Sequence, residues 1–170
     1  MVAALELYFD PKAQSRVYTL WDALESVGVP SLRAVTHQRH RPHLSLAVAD
    51  SLDADAVAAA LDGLPAAPPL RLSLSYVGQF AGGVLFLGPA ASAELAAHHV
   101  EVIRRLDAAG VPVADTYRPG AWVPHCTLSM ICRGEAISRA VPRCMDVLPL
   151  ELTLSGAAVA DHGRGLYTPL

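Results

Sequence analysis

The feature that most constrains this sequence is an internal repeat, in which similar segments recur 82 residues apart. RPHLSLAV (41–48) resembles VPHCTLSM (123–130), which places His43 and His125 at equivalent positions. Isolated matches are common in a chain rich in Ala and Leu, but Gly, Pro and His matching in one frame without an insertion are not. We therefore interpret residues 1–170 as a single domain made by an ungapped duplication. The same offset pairs Gly28-Val29-Pro30 with Gly110-Val111-Pro112, and Gly83 with Gly165.

Local patterns give the same order of elements in each half. Residues 4–9 alternate as a half-buried strand, and Asp10-Pro11 is typical of a helix start. Each half continues with a motif strand, a short helix and a last strand, and we expect Pro142 to break or shorten the second of these helices. The predicted fold class is α/β (α+β), with two lobes, an antiparallel-rich sheet in each, helices outside and a cleft between them. The expected bounds are 42–48 and 124–130 for the motif strands, 53–62 and 135–146 for the short helices, and 70–77 and 151–158 for the last strands.

Composition narrows the class of protein. Apolar residues make up 52% and charged residues 17%, which is typical of a packed domain rather than a disordered chain. The net charge of -3 gives no general basic field for long nucleic acid. Three cysteines without a C-x-x-C pair indicate free thiols in a reducing compartment. With no signal-peptide pattern and no apolar run of about 20 residues, we expect a cytoplasmic monomer that does not contact membranes.

The chemistry is predicted from the two motif strands. Residues i and i+2 of a strand share one face, so His43 lies beside Ser45, and His125 beside Thr127. One neutral imidazole can take a proton while the other, protonated, gives one to a leaving oxygen. The hydroxyls can donate hydrogen bonds to phosphate oxygens. The alternate residues are expected in the core: Leu44, Leu46, Val48, Cys126 and Leu128.

These motifs resemble a known family. H-x-[ST]-hydrophobic, occurring twice half a chain apart, is similar to the two-histidine phosphoesterase superfamily, which includes RNA 2',5'-ligase-like proteins and cyclic phosphodiesterases. The resemblance covers nearly the whole chain and implies that His43 and His125 are catalytic and that Ser45 and Thr127 bind phosphate. The first motif has Ser where Thr is commoner. Some members have a basic residue after the second motif, where this chain has Ser129-Met130.

Further residues are candidates for substrate contacts. Tyr8 lies with Glu6 on the polar face of the first strand and either packs or stacks on a base. Tyr117 and Trp122 precede the second motif and are expected at the rim of the cleft. Arg41 is a basic candidate. Together with Arg33 and Arg39 it forms either a solvated loop or a patch that steers phosphate towards the site.

A metal site and a cofactor are not predicted. His37, His40 and His43 have the spacing H-x-x-H-x-x-H, but no carboxylate or cysteine is near in sequence, and Pro42 interrupts regular geometry. The two histidines of the second long helix, His98 and His99, are expected at the surface and partly packed.

The sequence favours an enzyme acting on a small cyclic phosphodiester, a nucleotide or an RNA end. The reaction is either hydrolysis of a 2',3'-cyclic phosphate or reversible 2',5'-ligation, without metal. One alternative is a non-catalytic nucleotide- or RNA-binding module that keeps the pocket. Another is ester hydrolysis with Ser45 as nucleophile, which lacks a third group to orient the base. The sequence leaves open the physiological substrate, the regiochemistry and which histidine is the acid.

Overall fold

The computed structural model describes residues 2–35 and 40–170. His37 and Arg39, named above, lie outside the described residues. Five α-helices and one 3₁₀ turn are found in the described ranges. Their bounds are α1 Pro11–Ser26, α2 Leu32–Val35, α3 Ala54–Ala60, α4 Ala93–Ala108, α5 Glu135–Met145, and the 3₁₀ turn Asp115–Tyr117.

Seven strands form one antiparallel sheet with the order β2-β1-β6-β3-β4-β5, and β7 pairs with β6. The first half of β6 pairs with β3 and its second half with β1. The predicted fold class, α/β with an antiparallel sheet and helices outside, is confirmed. The strands are β1 Ala3–Phe9, β2 His43–Ala49, β3 Arg71–Phe80, β4 Val84–Pro89, β5 Cys126–Ser129, β6 Leu150–Asp161 and β7 Leu166–Pro169.

The two long helices begin and end alike, 82 residues apart. The Asp10 side chain caps α1 by accepting from the main-chain N–H groups of Lys12 and Ala13, and Ser92 caps α4 by accepting from that of Leu95. Gly28 follows α1 and Gly110 follows α4, with φ of 75° and 69°. Each helix buries one apolar stripe, which fixes it against the sheet: Ala13, Val17, Leu20, Trp21 and Leu24 in α1, and Leu95, Val102, Ile103 and Leu106 in α4.

Strand pairing follows the same interval. Ala3 pairs with Asp161 across β1 and β6, and shifting both by 82 residues gives Leu85 and Gln79, which pair across β4 and β3. The first strand of each half therefore pairs with the last strand of the other half. This exchange joins strands from both halves of the chain in one sheet.

The motif strands β2 and β5 lie at opposite ends of the strand order, yet they approach each other. The Trp122 indole N–H donates to the main-chain carbonyl of Ser45 at 3.0 Å, and the Ala114 N–H donates to that of Val48 at 2.8 Å. The sheet is therefore curved, and its two edge strands, β2 and β5, lie on either side of one cavity.

The prediction that Pro142 breaks or shortens the short helix of the second half is wrong. Helix α5 continues through Pro142 to Met145 instead of ending there. Proline removes the N–H that would bond to the carbonyl of Ser138, but both residues are exposed, so water can serve that carbonyl. No helix of the described ranges has the length and apolar character needed to cross a membrane.

Candidate active site

A cavity of about 620 Å³ lies between the motif strands. It brings together all four residues predicted from the motifs, His43, Ser45, His125 and Thr127. The other lining residues are mostly apolar, and among the described residues the lining contains no Lys or Arg. They are Val2, Ala4, Leu32, His40, Val48, Phe80, Val84, Thr116, Tyr117, Ala121, Trp122, Val123, Met130 and His162.

Both motif histidines are oriented by the same kind of contact. His43 Nδ1 lies 2.7 Å from the main-chain carbonyl of Arg41, and His125 Nδ1 lies 2.7 Å from that of Val123. A carbonyl only accepts hydrogen bonds, so each neutral ring carries its proton on Nδ1. Nε2 is then the nitrogen of each ring that can exchange a proton with a substrate.

The hydroxyls lie two residues after the histidines, as strand geometry requires. Ser45 and Thr127 are both partly exposed in the cavity. The Ser45 hydroxyl interacts with that of Tyr117, whose pKa is raised by burial. The site therefore offers two imidazoles and two hydroxyl donors, which suits a phosphate group with charge on its non-bridging oxygens.

A bulge in each motif strand corrects one part of the sequence interpretation. Glu6 pairs with Ser45 and Leu5 with Ala47, so Leu46 is an extra residue in β2. Phe86 and Leu85 pair with Thr127 and Ser129 in the same way, which leaves Leu128 extra in β5. Alternation changes after the bulge, so Val48, expected in the core, lines the cavity, as does Met130.

A buried carboxylate lies beside His43. Glu6 has no exposed surface, and its Oε1 atom is 3.2 Å from Nε2 of His43 and 2.8 Å from Nε2 of His162. The Tyr8 hydroxyl donates to the other oxygen, Oε2, at 2.8 Å. Burial acts to raise the pKa of Glu6, but His43, His162 and Tyr8 outweigh burial and hold it below the ordinary value. Glu6 is therefore an ionised group that is buried beside His43.

The surroundings of His125 are aromatic instead. Its ring lies 4.8 Å from that of Phe80 and 5.4 Å from that of Phe86, and these two phenyl rings stack at 4.4 Å. Burial lowers the pKa of His125, with a smaller contribution from the charge of His43. Phe86 is buried and packs against the His125 ring.

Of the further substrate candidates, the structure brings two to the cavity and leaves two away from it. Tyr117 and Trp122 line it. Tyr8 is buried under the Arg41 guanidinium, which lies 4.2 Å from its ring centre, and neither residue is in the lining. Tyr8 thus packs rather than presenting a face to a base. Arg33 pairs with Asp22 on α1.

His99 is fully packed in the interior, not at the surface as expected. It is buried, stacks on Trp122 at 3.8 Å between ring centres, and its Nε2 contacts the Tyr117 carbonyl at 3.0 Å. Helix α4 thereby supports the loop that carries both cavity aromatics.

Sequence reasoning missed two histidines of the site. The sequence motifs do not indicate His162, and they indicate His40 only as a member of the H-x-x-H-x-x-H spacing. His40 is buried and its ring lies 4.6 Å from that of His162. Burial and the two neighbouring histidines lower the pKa of His40 to about 4. The offset of 82 could have indicated His40, because it aligns this residue with Trp122, a predicted rim residue. In the described ranges, no group of three or more His, Cys, Asp or Glu side chains is arranged to hold a metal ion.

Comparison with known proteins identifies the class. The model of the 2'-5' RNA ligase superfamily matches residues 9–166. The chain therefore belongs to this superfamily, which is part of the two-histidine phosphoesterase superfamily. Comparison with curated protein sequences gives no match.

Solved structures share the fold at low sequence identity. A crystal structure of a phosphoesterase is 19% identical with a TM-score of 0.65, covering 99% of this chain and 94% of that one. E. coli LigT complexed with 3'-AMP is 18% identical with a TM-score of 0.57, covering 100% and 96%. Kluyveromyces marxianus Usb1 with uridine monophosphate is 13% identical with a TM-score of 0.51, covering 99% and 98%.

Proposed function

We propose that this protein is a metal-independent phosphoesterase that acts on a cyclic phosphodiester or an RNA end. The observation that carries the proposal is the matched pair of imidazoles in one cavity, each with Nδ1 against a carbonyl two residues before it. Such a pair leaves one Nε2 to accept a proton and the other to donate one. Membership of the superfamily supports the same chemistry.

For hydrolysis of a 2',3'-cyclic phosphate, the neutral histidine takes a proton from water as its oxygen bonds to phosphorus. The protonated histidine gives its proton to the ribose oxygen whose bond to phosphorus breaks. Ser45 and Thr127 donate to the non-bridging oxygens while charge builds on them. For 2',5'-ligation, a ribose hydroxyl replaces water and the same groups act.

The cavity supports a small or terminal substrate. Its described lining has no Lys or Arg side chain, while Tyr117 and Trp122 offer aromatic surface. The nucleotides in the LigT and Usb1 structures belong to those proteins, but they support a nucleotide-sized ligand here.

The test is turnover of a 2',3'-cyclic mononucleotide by the intact protein. His43→Ala and His125→Ala should each lower kcat about 10²–10⁴-fold, the usual contribution of an acid or base. Ser45→Ala and Thr127→Val should each cost about 1.5–3 kcal/mol of transition-state stabilisation. His98→Ala is a matched control, because His98 contacts the carbonyl of Ala66 outside the cavity.

Wild-type turnover in both motif-histidine variants would contradict the proposal. If the folded protein bound the mononucleotide without turning over any cyclic phosphodiester or RNA end, the non-catalytic binding module would replace the enzyme.

A further inference from the structure

The two halves of the cavity match in their catalytic groups but differ in what surrounds them. The offset of 82 residues aligns Glu6 with Gly88 and His162 with Phe80. The ring of His162 is 6.2 Å from that of His43, and the ring of Phe80 is 4.8 Å from that of His125. One half therefore places a carboxylate and an imidazole where the other has no side chain and a phenyl ring.

The contact with the Glu6 carboxylate favours the charged form of the His43 ring, but it does not hold the Nε2 proton in a hydrogen bond. With Nδ1 donating to the Arg41 carbonyl, a neutral His43 would aim the Nε2 lone pair at the carboxylate region, and protonation replaces that repulsion by attraction. His43 Nε2 and Glu6 Oε1 nevertheless form an ion pair at 3.2 Å without a well-aligned hydrogen bond between them. The Nε2 proton of His43 thus remains available to a substrate oxygen.

The aromatic half favours the opposite state. Phe80 and Phe86 offer no counter-charge to His125, and loss of hydration disfavours its protonated form. Nε2 of this ring is therefore suited to receive a proton.

We infer that Glu6 is a positioning residue that holds His43 protonated as the general acid, leaving His125 as the general base. This inference rests on the proposed function and assigns the two roles that the duplication leaves equivalent.

Other titratable groups also face His43, and their effects are distinguishable. The Tyr8 hydroxyl donates to Glu6 and its pKa is raised by burial, so it stays neutral. His40 has a pKa of about 4 and is neutral near pH 7. His162 shares the Glu6 oxygen and therefore competes with His43 for it. Among the described residues, Glu6 is the only ion-pair partner of His43. The groups facing His43 are Glu6 and Tyr8 on β1, His40 before β2, His125 and Cys126 at β5, His162 after β6, and the Arg41 guanidinium above Tyr8.

The test is the pH–rate profile of Glu6→Gln on a 2',3'-cyclic mononucleotide. Loss of the charge should move the alkaline limb to lower pH by on the order of 1–3 units and lower kcat at pH 7.5 by about tenfold per unit. The acidic limb and KM should change little. If His43 were the base, the same substitution would raise the rate near neutral pH, and that result or an unchanged profile would overturn the inference.

His162→Phe, which has no N–H donor for Glu6, gives a second variant with the opposite expectation, and this variant tests the inference if Glu6→Gln does not fold. Removing the competitor leaves Glu6 to His43, so the alkaline limb should move to higher pH. A shift to lower pH, or none, would overturn the inference. Glu151→Gln is the matched control, because Glu151 is exposed and accepts from Ser73 outside the cavity.

Nitrogen NMR titration of the folded protein separates this inference from the proposed function. His43 should lose its proton at a higher pH than His125, and Glu6→Gln should reduce or reverse the difference. That order can be measured in a protein that turns over no cyclic phosphodiester, where only the proposed function would fail. Turnover together with the reverse order would overturn the role assignment alone.

Discussion

Gly78 on β3 makes room for the aromatic half of the site, and adding one methyl group there should perturb it. A Cβ at Gly78 would have three carbons of the Phe86 ring within 3.0 Å. Because carbon atoms pack at about 3.5–4.0 Å, the ring must move by on the order of 1 Å. Phe86 is buried against Phe80 and His125, so this movement is transmitted to the second motif.

We expect Gly78→Ala to destabilise the fold by about 1–3 kcal/mol, the usual cost of overpacking. For a chain of this size that lowers Tm by roughly 2–12 °C. Displacement of a catalytic group by about 1 Å can cost on the order of 10²-fold in rate, so kcat on a cyclic mononucleotide should fall towards that limit. Thermal unfolding and steady-state kinetics measure the two effects.

Gly156→Ala is the matched control, because a Cβ there meets nothing within 4 Å and the residue also lies in a strand. Phe86→Leu in the Gly78→Ala background should restore part of the lost stability by making room for the methyl group. If Gly78→Ala matched Gly156→Ala in both Tm and kcat, the packing argument for His125 would be refuted.

Three further outcomes are expected. Turnover should survive EDTA, and its loss with recovery on adding one divalent ion would contradict metal-independent chemistry. Because the pKa of His40 is held near 4 while the unfolded chain takes up that proton near pH 6.5, folding stability should be lost as pH falls from about 6.5 to about 4. His40→Gln should remove up to about 3 kcal/mol of that loss in denaturant titrations, and an equal loss in both proteins would contradict the assignment. Affinity for RNA ends should rise little as the RNA is lengthened, whereas a steep rise abolished by Arg39→Ala with Arg41→Ala would favour an RNA groove.

The parts of this structure that could be predicted are those governed by local rules. The N-caps at Asp10 and Ser92, and the glycines that follow α1 and α4, are signals carried by adjacent residues. The motif side chains could be placed together because two local rules agree. The two-residue period of a strand puts each His and hydroxyl on one face, and the repeat gives the two motifs equivalent positions. The 82-residue interval also orders the strands into two comparable sets.

The failures arise where a contact distant in sequence decides the outcome. Val48 reaches the cavity because of a bulge, and the apolar alternation of β2 does not reveal an extra residue opposite Leu5 and Glu6. His99 is buried by a loop from the second half, a contact that helical periodicity cannot supply. The sequence places Glu6 on a polar face, but it does not show that Glu6 is buried beside His162, a residue far along the chain.

A symmetric pair of histidines would be a poor acid–base couple. If both rings bound protons equally and independently, at most about one quarter of molecules would hold the productive combination, acid protonated and base neutral. Separating the two titrations by about 2 units raises that fraction to about 0.8. The gain in rate is only about threefold. The effect on the direction of proton transfer is larger, because almost no molecules then have the acid neutral and the base protonated. The Glu6 carboxylate and the phenyl rings of Phe80 and Phe86 supply unequal surroundings of this kind to two otherwise equivalent motifs. The residues that surround the two motifs differ, while the motifs themselves match. The surrounding residues would therefore determine which histidine donates a proton and which accepts one.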